Sequence, residues 1–322
     1  MTDTKIIAVM GASGAQGGGL ARAILDDPHG GFACRAITRQ PESDRARALA
    51  ERGAEVVRAD LDDASSLVDA FQGAHGAYCM TNFFEHFSAD EELEQAARLA
   101  GAVRAAGISH AVWSTQWDSR ERYPTEDDRL PTLQGRYKLP HWDAKGEANR
   151  FFNESGVPTT FLHLPTFWDN FLTPGAPQRP QRGPDGVLAI MAPMGDMRLP
   201  GIAAEDIGRC AYGIFKAGPE FAGKTVGVAA EHLSGAELAA GLSSALGEKV
   251  RFDHVPVAAV RVSMLPGADL VANMFQLIEE NLDDYCAQYD VALSRSLNPR
   301  LQTFAGWLAA NADRIGVPAG AR

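Results

Sequence analysis

His141 and Lys145 stand four residues apart in "LPHWDAKGEANRFF", Leu139 to Phe152. That spacing places both side chains on one face of a helix, one turn apart. Pro140 suits the first turn of such a helix, where its missing N–H costs nothing. A lysine there is either an ordinary exposed cation, slightly unfavourable against the helix dipole, or a side chain held in place to bind a ligand. An imidazole of ordinary pKa, about 6.5, can serve as a general acid. A cationic lysine one turn away pushes it toward the neutral form, which donates a proton poorly.

A second stretch with chemical meaning is "GASGAQG", in which Gly11, Gly14 and Gly17 form a Gly-x-x-Gly-x-x-Gly array. It lies between a strand-like run, "KIIAVMG", and a helical pattern, "GGGLARAILDD". Glycine there permits a tight turn, close approach of the backbone to a pyrophosphate and close helix-to-strand packing, while the helix N-terminus offers free N–H groups to the anion. Because strand, loop and helix occur in the required order, the array reads as a dinucleotide loop and not merely a turn. The second strand ends in "AITRQ", with Thr38 and Arg39 where an NAD site places a carboxylate. Arg39 can pair with a 2′-phosphate and stack on adenine, so the sequence points to NADP, with Thr38, Ser43 and Arg45 able to help. The alternative is a solvated arginine at a strand end. After the third strand, "ADLDD" puts Asp60 and Leu61 where such folds contact the adenine edge, whereas Asp62 or Asp63 suits the cap of a helix beginning at Ala64.

The elements that must position these residues alternate regularly: "FACRAITR" then "SDRARALAER", "AEVVRAD" then "ASSLVDAFQG", "GAYCMTN" then "EELEQAARLAGAVRAAG", then "HAVWSTQ". Repeated strand–helix units wind into a parallel sheet with helices on both faces. The expected fold is therefore α/β, a doubly wound parallel sheet of the Rossmann type with a smaller α+β C-terminal lobe. Residues 1–165 are assigned to the nucleotide domain, with about 201–230 returning to it, and 166–322 to a substrate or partner lobe. A charged loop with Pro and Gly runs from residue 117 to 140, and "TPGAPQRPQRGPDG" marks a further surface excursion. With 322 residues and 45% hydrophobic content, the chain can bury a large core. It has no apolar run of the roughly 20 residues a membrane helix needs, and no signal-peptide pattern, which makes the cytoplasm the default compartment. Cys34, Cys79, Cys210 and Cys286 are scattered singly, so neither a disulfide framework nor a metal site is expected. A net charge of -11 disfavours direct nucleic-acid binding.

Taken with "ITRQP", "TNFFE", "HWDAKGE", "LPTFWDNF", "GPDGVLAIMAPMGDMRLPGIAAEDIG" and "PGADLVANMF", these residues resemble the NmrA-like family, a branch of the atypical short-chain dehydrogenases/reductases that includes an NADPH sensor. The resemblance covers nearly the whole chain. It implies that Gly11, Ser13, Gly14, Ala15, Gln16 and Gly17 cradle the pyrophosphate of NADP and that Arg39 takes the 2′-phosphate. It further implies that Thr81 and Asn82 line the nicotinamide side, that Lys145 holds the nicotinamide ribose, and that Pro165, Phe167 and Asn170 close the pocket. The family's sensor has a further basic residue after the arginine, whereas "RQPES" offers Glu42 and Ser43.

Catalytic short-chain dehydrogenases carry Tyr-x-x-x-Lys and a strand serine, the lysine lowering the phenol pKa from about 10. Here Ser114 ends the fifth strand and Lys145 is in place, but His141 occupies the tyrosine position. The candidate catalytic set is thus Lys145, His141 and Ser114 without the tyrosine; Tyr137 is a conceivable substitute, although Pro140 interrupts a helix through it. Ser114 and Thr115 read equally as strand-end residues bonding the backbone. Trp113, Trp117, Trp142 and Trp168 either line an aromatic pocket or pack the core. An intact cofactor site beside an absent tyrosine favours an NADP(H)-binding redox sensor with a regulatory protein partner. The alternative is an NADPH-dependent oxidoreductase acting on a small quinone or carbonyl compound, whose stable product oxyanion needs little acid catalysis. The sequence leaves monomer and homodimer equally open.

Overall fold

In the computed structural model, which describes residues 4–317 except 175, 177, 264 and 266, seven strands form one parallel sheet. They are β1 (Lys5–Met10), β2 (Phe32–Thr38), β3 (Glu55–Arg58), β4 (Gly76–Cys79), β5 (His110–Thr115), β6 (Thr159–His163) and an edge strand, Thr225–Gly227. From one edge the order is β3-β2-β1-β4-β5-β6, then Thr225–Gly227. This is the α/β doubly wound arrangement. Ile7, Ala8, Val9 and Met10 are all buried, as a strand covered by helices on both faces requires. The strand order reverses between β1 and β4, and ligands bind such sheets in the crevice beyond the strand ends at that point.

The helices are α1 (Ala15–Leu25), α2 (Asp44–Glu51), α3 (Ala64–Phe71), α4 (Phe83–His86), α5 (Ala89–Ala105), α6 (Pro140–Ser155) and α7 (Ala204–Ala217). Asp63 caps α3, its carboxylate accepting from the N–H groups of Ser65 and Ser66. Small residues set the depth of α1. A Cβ on Gly17 would lie 2.6 Å from the carbonyl oxygens of Met10 and Gly11, and one on Gly19 would lie 2.5 Å from that of Glu205. On the other side of the same contact, a Cβ on Gly208 would collide with the Leu20 backbone nitrogen. The helix N-terminus is thus pressed against β1 on one side and α7 on the other.

Beyond β6 the chain builds two three-stranded sheets, one of Glu231–Leu233, Leu199–Ile202 and Thr166–Phe167, the other of Val250–His254, Leu188–Ala192 and Gln181–Arg182. The excursion at 173–186 and the motif "PGADLVANMF" include Gly175, Pro177 and Pro266, which lie outside the described residues. The helical run from Ala268 breaks at Asn281, whose side chain donates to Leu277 O and to the Tyr123 hydroxyl, and resumes at Leu282. No helix among the described residues is long and apolar enough to cross a membrane.

The charged loop between β5 and α6 is cross-braced from within. Lys138 is buried, and its ammonium donates to the carbonyls of Thr125, Asp127 and Leu130 and to the Thr132 hydroxyl, at 2.7–2.9 Å. Buried Asp143, in the first turn of α6, accepts from the N–H groups of Ser119, Lys138 and Leu139, each at 2.8 Å, and from the Ser119 hydroxyl. Asn273, in the helix Ala268–Glu280, ties this loop to that helix by donating to Pro131 O and Lys138 O. The start of α6, and with it the height of Lys145 over the sheet, is therefore fixed by buried charge. Because Gly208→Ala forces a methyl group into the α1 backbone, it is expected to lower the unfolding free energy by about 3 kcal/mol, measured by urea denaturation; an unchanged midpoint would show that α1 and α7 can separate at little cost.

Candidate functional site

The cleft at the switch point is floored by the glycine loop. Gly14 is the N-cap of α1 and has no side chain to satisfy the first-turn N–H groups, which leaves an anion-binding end of the helix dipole facing the cleft. Gly11, Ser13, Gly14, Ala15 and Gln16 line a cavity of ≈ 420 Å³, together with Thr38, Arg39, Leu61, Thr81, Asn82 and Phe167. Gly17 lies beneath, where its missing side chain lets the helix approach. The Gln16 amide oxygen accepts from the hydroxyls of Tyr78 (3.0 Å) and Ser114 (3.1 Å), so its NH2 group is the end left for the cleft. Ser13 and Thr38 share a hydroxyl hydrogen bond of 3.2 Å at the rim.

Arg39 stands at this rim, 59% exposed, and its guanidinium meets the Glu85 carboxylate at 2.9 Å. The Asn82 amide also donates to Glu85, at 3.2 Å. An ion pair this exposed contributes about 0–1 kcal/mol, so a dianionic phosphate can displace the carboxylate. Arg45 approaches the same corner, donating to Ser13 O at 3.4 Å.

The cleft continues into a pocket of ≈ 200 Å³, with Gln16, Met80, Thr81, Asn82 and Phe167 lining both cavities. Ser114, His141, Trp142, Lys145, Phe83, Phe84 and Pro165 also line the pocket. Lys145 is held from three sides: its ammonium donates to Thr81 Oγ1 (2.7 Å) and Thr81 O (3.2 Å), and pairs with Glu92 Oε1 at 2.6 Å. Glu92, on α5, has no solvent exposure, and the Thr81 hydroxyl donates to it. The Lys145 ammonium also sits 5.2 Å over the Trp113 ring. Thr115 fastens α6 to β5 by bonding Lys145 O and Asn149 Oδ1.

His141 is buried between the rings of Phe83 and Phe84, at 6.0 and 5.8 Å, and its Nδ1 has no hydrogen-bond partner among the described residues. Burial, with the Lys145 charge second, pushes its pKa down to about 3. The imidazole is neutral at physiological pH, chiefly because it is desolvated and less because of the lysine. Tyr137 is no substitute. It is sandwiched between the guanidinium groups of Arg120 and Arg136, at 4.8 and 4.7 Å, its hydroxyl is buried and unpartnered, and it does not line the pocket.

Besides Gly17, two of the candidate contact residues are not brought to the cleft wall. The Asp60 carboxylate turns back to accept from the Asp62 N–H, and Asn170 lies in a short helical turn, Trp168–Leu172, outside the lining. Trp142 lines the pocket, whereas Trp113 stacks on Phe152, and Trp168 packs on Phe304 and Trp307. Glu85 and Glu92, which ion-pair with the two central cations, were not singled out in the sequence; "TNFFE" and "EELEQ" carry them without any local signal.

The NmrA-like family model matches residues 3–308 of the chain. The chain is 29% identical over 271 residues to the NmrA-like family domain-containing oxidoreductase FrzB of Cladobotryum sp., covering 78% of this chain and 76% of that protein. Among solved structures it is similar to NmrA, a negative transcriptional regulator crystallised with NADP, at 22% identity over 95% of both chains and a TM-score of 0.74. It is also similar to the Citrobacter sp. triphenylmethane reductase, at 21% identity over 96% of this chain and 99% of that one, with a TM-score of 0.71. At these identities the two structures speak for the fold alone, but the family model spans the glycine loop, the α6 lysine and both three-stranded sheets: the chain belongs to the NmrA-like family.

Proposed function

We propose that this chain binds NADP(H) in the switch-point cleft and transfers hydride to a small conjugated acceptor, a quinone or carbonyl compound. The reading rests on one observation above all: a rim arginine and an uncapped helix N-terminus line one cavity, and a half-buried lysine lines the pocket that continues it, which suits the 2′-phosphate, the pyrophosphate and the nicotinamide ribose of a single dinucleotide. The glycine loop, with Ser13, Ala15 and Gln16, takes the pyrophosphate. Arg39 takes the 2′-phosphate, with Thr38 and Arg45 beside it. Leu61 supports the adenine edge, while Asp60, its carboxylate turned back to the Asp62 N–H, contributes only to the shape of the turn. Thr81, Asn82, Pro165 and Phe167 border the nicotinamide, Asn170 follows in the turn Trp168–Leu172, and Lys145 holds its ribose. The cofactor supplies the hydride; the protein orients it and excludes water.

Among the described residues, neither of the two candidate substitutes for the tyrosine offers the pocket a proton: His141 is neutral and Tyr137 is turned away. An acceptor whose reduced oxyanion is stable without a protein proton fits that wall, which is built of Phe83, Phe84, Trp142 and Phe167. The oxidoreductase name carried by the fungal relative FrzB also weighs for turnover. A sensor or regulator is the second reading, favoured by the same loss of the tyrosine beside a cleft that keeps the glycine loop, Arg39 and Lys145. Steady NADPH oxidation with any acceptor of a quinone and carbonyl panel supports the first reading; stoichiometric binding without turnover, with partner affinity that changes on NADPH addition, supports the second.

Arg39→Ala is expected to weaken NADPH binding roughly tenfold or more while changing NADH binding little, as read by titration of nicotinamide fluorescence. Equal losses for both cofactors would remove Arg39 from the 2′-phosphate. Since His141 titrates near 3, its ring signals should not shift between about pH 5 and about pH 8 in NMR spectra, whereas an ordinary histidine would titrate near 6.5. In a turnover assay, His141→Ala should leave the pH profile of kcat unchanged over that range; loss of an acidic limb would make His141 the proton donor.

A further inference from the structure

Glu92 Oε1 is fully engaged by Lys145 and Thr81, but Glu92 Oε2 is buried without a hydrogen-bond partner among the described residues. Opposite it, at 3.6 Å, lies His86 Nε2, which is also buried and unpartnered. The tautomer of His86 follows from its other side: Nδ1 accepts the Ser88 N–H at 3.1 Å, so in the neutral ring the proton sits on Nε2 and points at the carboxylate. His86, Glu92 and Lys145 therefore form a line of titratable groups running from the partly exposed edge of α4 to the wall of the nicotinamide pocket.

The charge of that line bears on the two redox forms of the cofactor unequally. The oxidised nicotinamide ring carries a positive charge and the reduced ring carries none. Lys145 beside it would favour the reduced form, and the Glu92 carboxylate offsets the lysine from beneath. We propose that Glu92, acting through Lys145, is the residue that sets the preference of this site between NADP+ and NADPH, and that His86 makes the preference depend on pH. The proposal rests on dinucleotide binding in this cleft. Protonating His86 adds a positive charge on the far side of Glu92, so acid should disfavour NADP+ relative to NADPH. The groups facing His86 are Glu91 and Glu92 from α5, the former 3.8 Å from Nδ1, and the Phe83 ring from its own helix; Lys145, from α6, meets Glu92 and not His86. His141, down to about 3, and His163, down to about 4, stay neutral over the range concerned.

The measurement is the ratio of dissociation constants, Kd(NADP+)/Kd(NADPH), at several pH values. The 2′-phosphate, whose charge also depends on pH, is common to both ligands and cancels in the ratio. For the wild-type protein the ratio should rise about threefold on acidification, and His86→Gln should flatten it. At constant pH, Glu92→Gln should raise the ratio roughly tenfold, by weakening NADP+ far more than NADPH. A ratio independent of pH in the wild type, a pH dependence kept in His86→Gln, or an unchanged ratio in a folded Glu92→Gln would each overturn the proposal. If Glu92→Gln does not fold, the wild-type and His86→Gln titrations decide it. If neither form binds the wild-type protein, the cofactor reading fails and takes the proposal with it; if both bind and the ratio does not move, the proposal alone fails.

Discussion

A carboxylate without solvent contact is a liability unless its charge is met, and breaking such a buried pair costs far more than an exposed one. Glu92 meets that condition with Lys145, and the pairing constrains everything around it. It requires α5 to pass close to α6, and it places the Thr81 hydroxyl between the two charges, which ties the end of β4 to both helices. It also explains why the first turn of α6 is so heavily anchored. Asp143 gathers the backbone N–H groups of the preceding loop, and Lys138 gathers that loop's carbonyls. If the helix slid along its axis, Lys145 would lose a partner that nothing else in the interior could replace.

The other end of the cleft is governed by close approach and not by charge. Gly17 allows α1 to touch β1, and Gly19 with Gly208 allows α7 to touch α1. The helix terminus is thus aimed at the cleft by packing alone, and the missing N-cap side chain leaves its dipole for a ligand. Between the two ends, Gln16 carries the connection. It belongs to the glycine loop, lines both cavities, and is held by Tyr78 on β4 and Ser114 on β5. Ser114 thereby has a role in the structure that does not depend on any catalytic one.

Much of this was legible in the sequence, for reasons that can be stated. The glycine array, the alternating elements and the Asp63 cap are local signals, because turn chemistry, periodicity and capping act within a few residues. Lys145 was legible because a spacing of four on a helix fixes a face. Glu92 was not: in "ADEELEQAARLA" it is one of several acids in a first turn, where acids are favoured by the helix dipole, and only the tertiary packing of α5 on α6 shows which of them is buried. Glu85 is hidden in the same way, its pairing with Arg39 running from α4 to the end of β2. The neutral state of His141 was foreseen from Lys145, but burial between two phenyl rings is the larger cause, and burial is not a local property.

The central claim is that Lys145, held from below by Glu92 and Thr81, presents its ammonium to the nicotinamide ribose. A crystal structure with bound NADPH tests it most directly. The account predicts a ribose hydroxyl within about 3 Å of Lys145 Nζ, with the contact to Glu92 retained and the nicotinamide ring between Phe167 and the His141 wall. A dinucleotide whose ribose is held elsewhere, with Lys145 still bound only to Glu92 and Thr81, would contradict it.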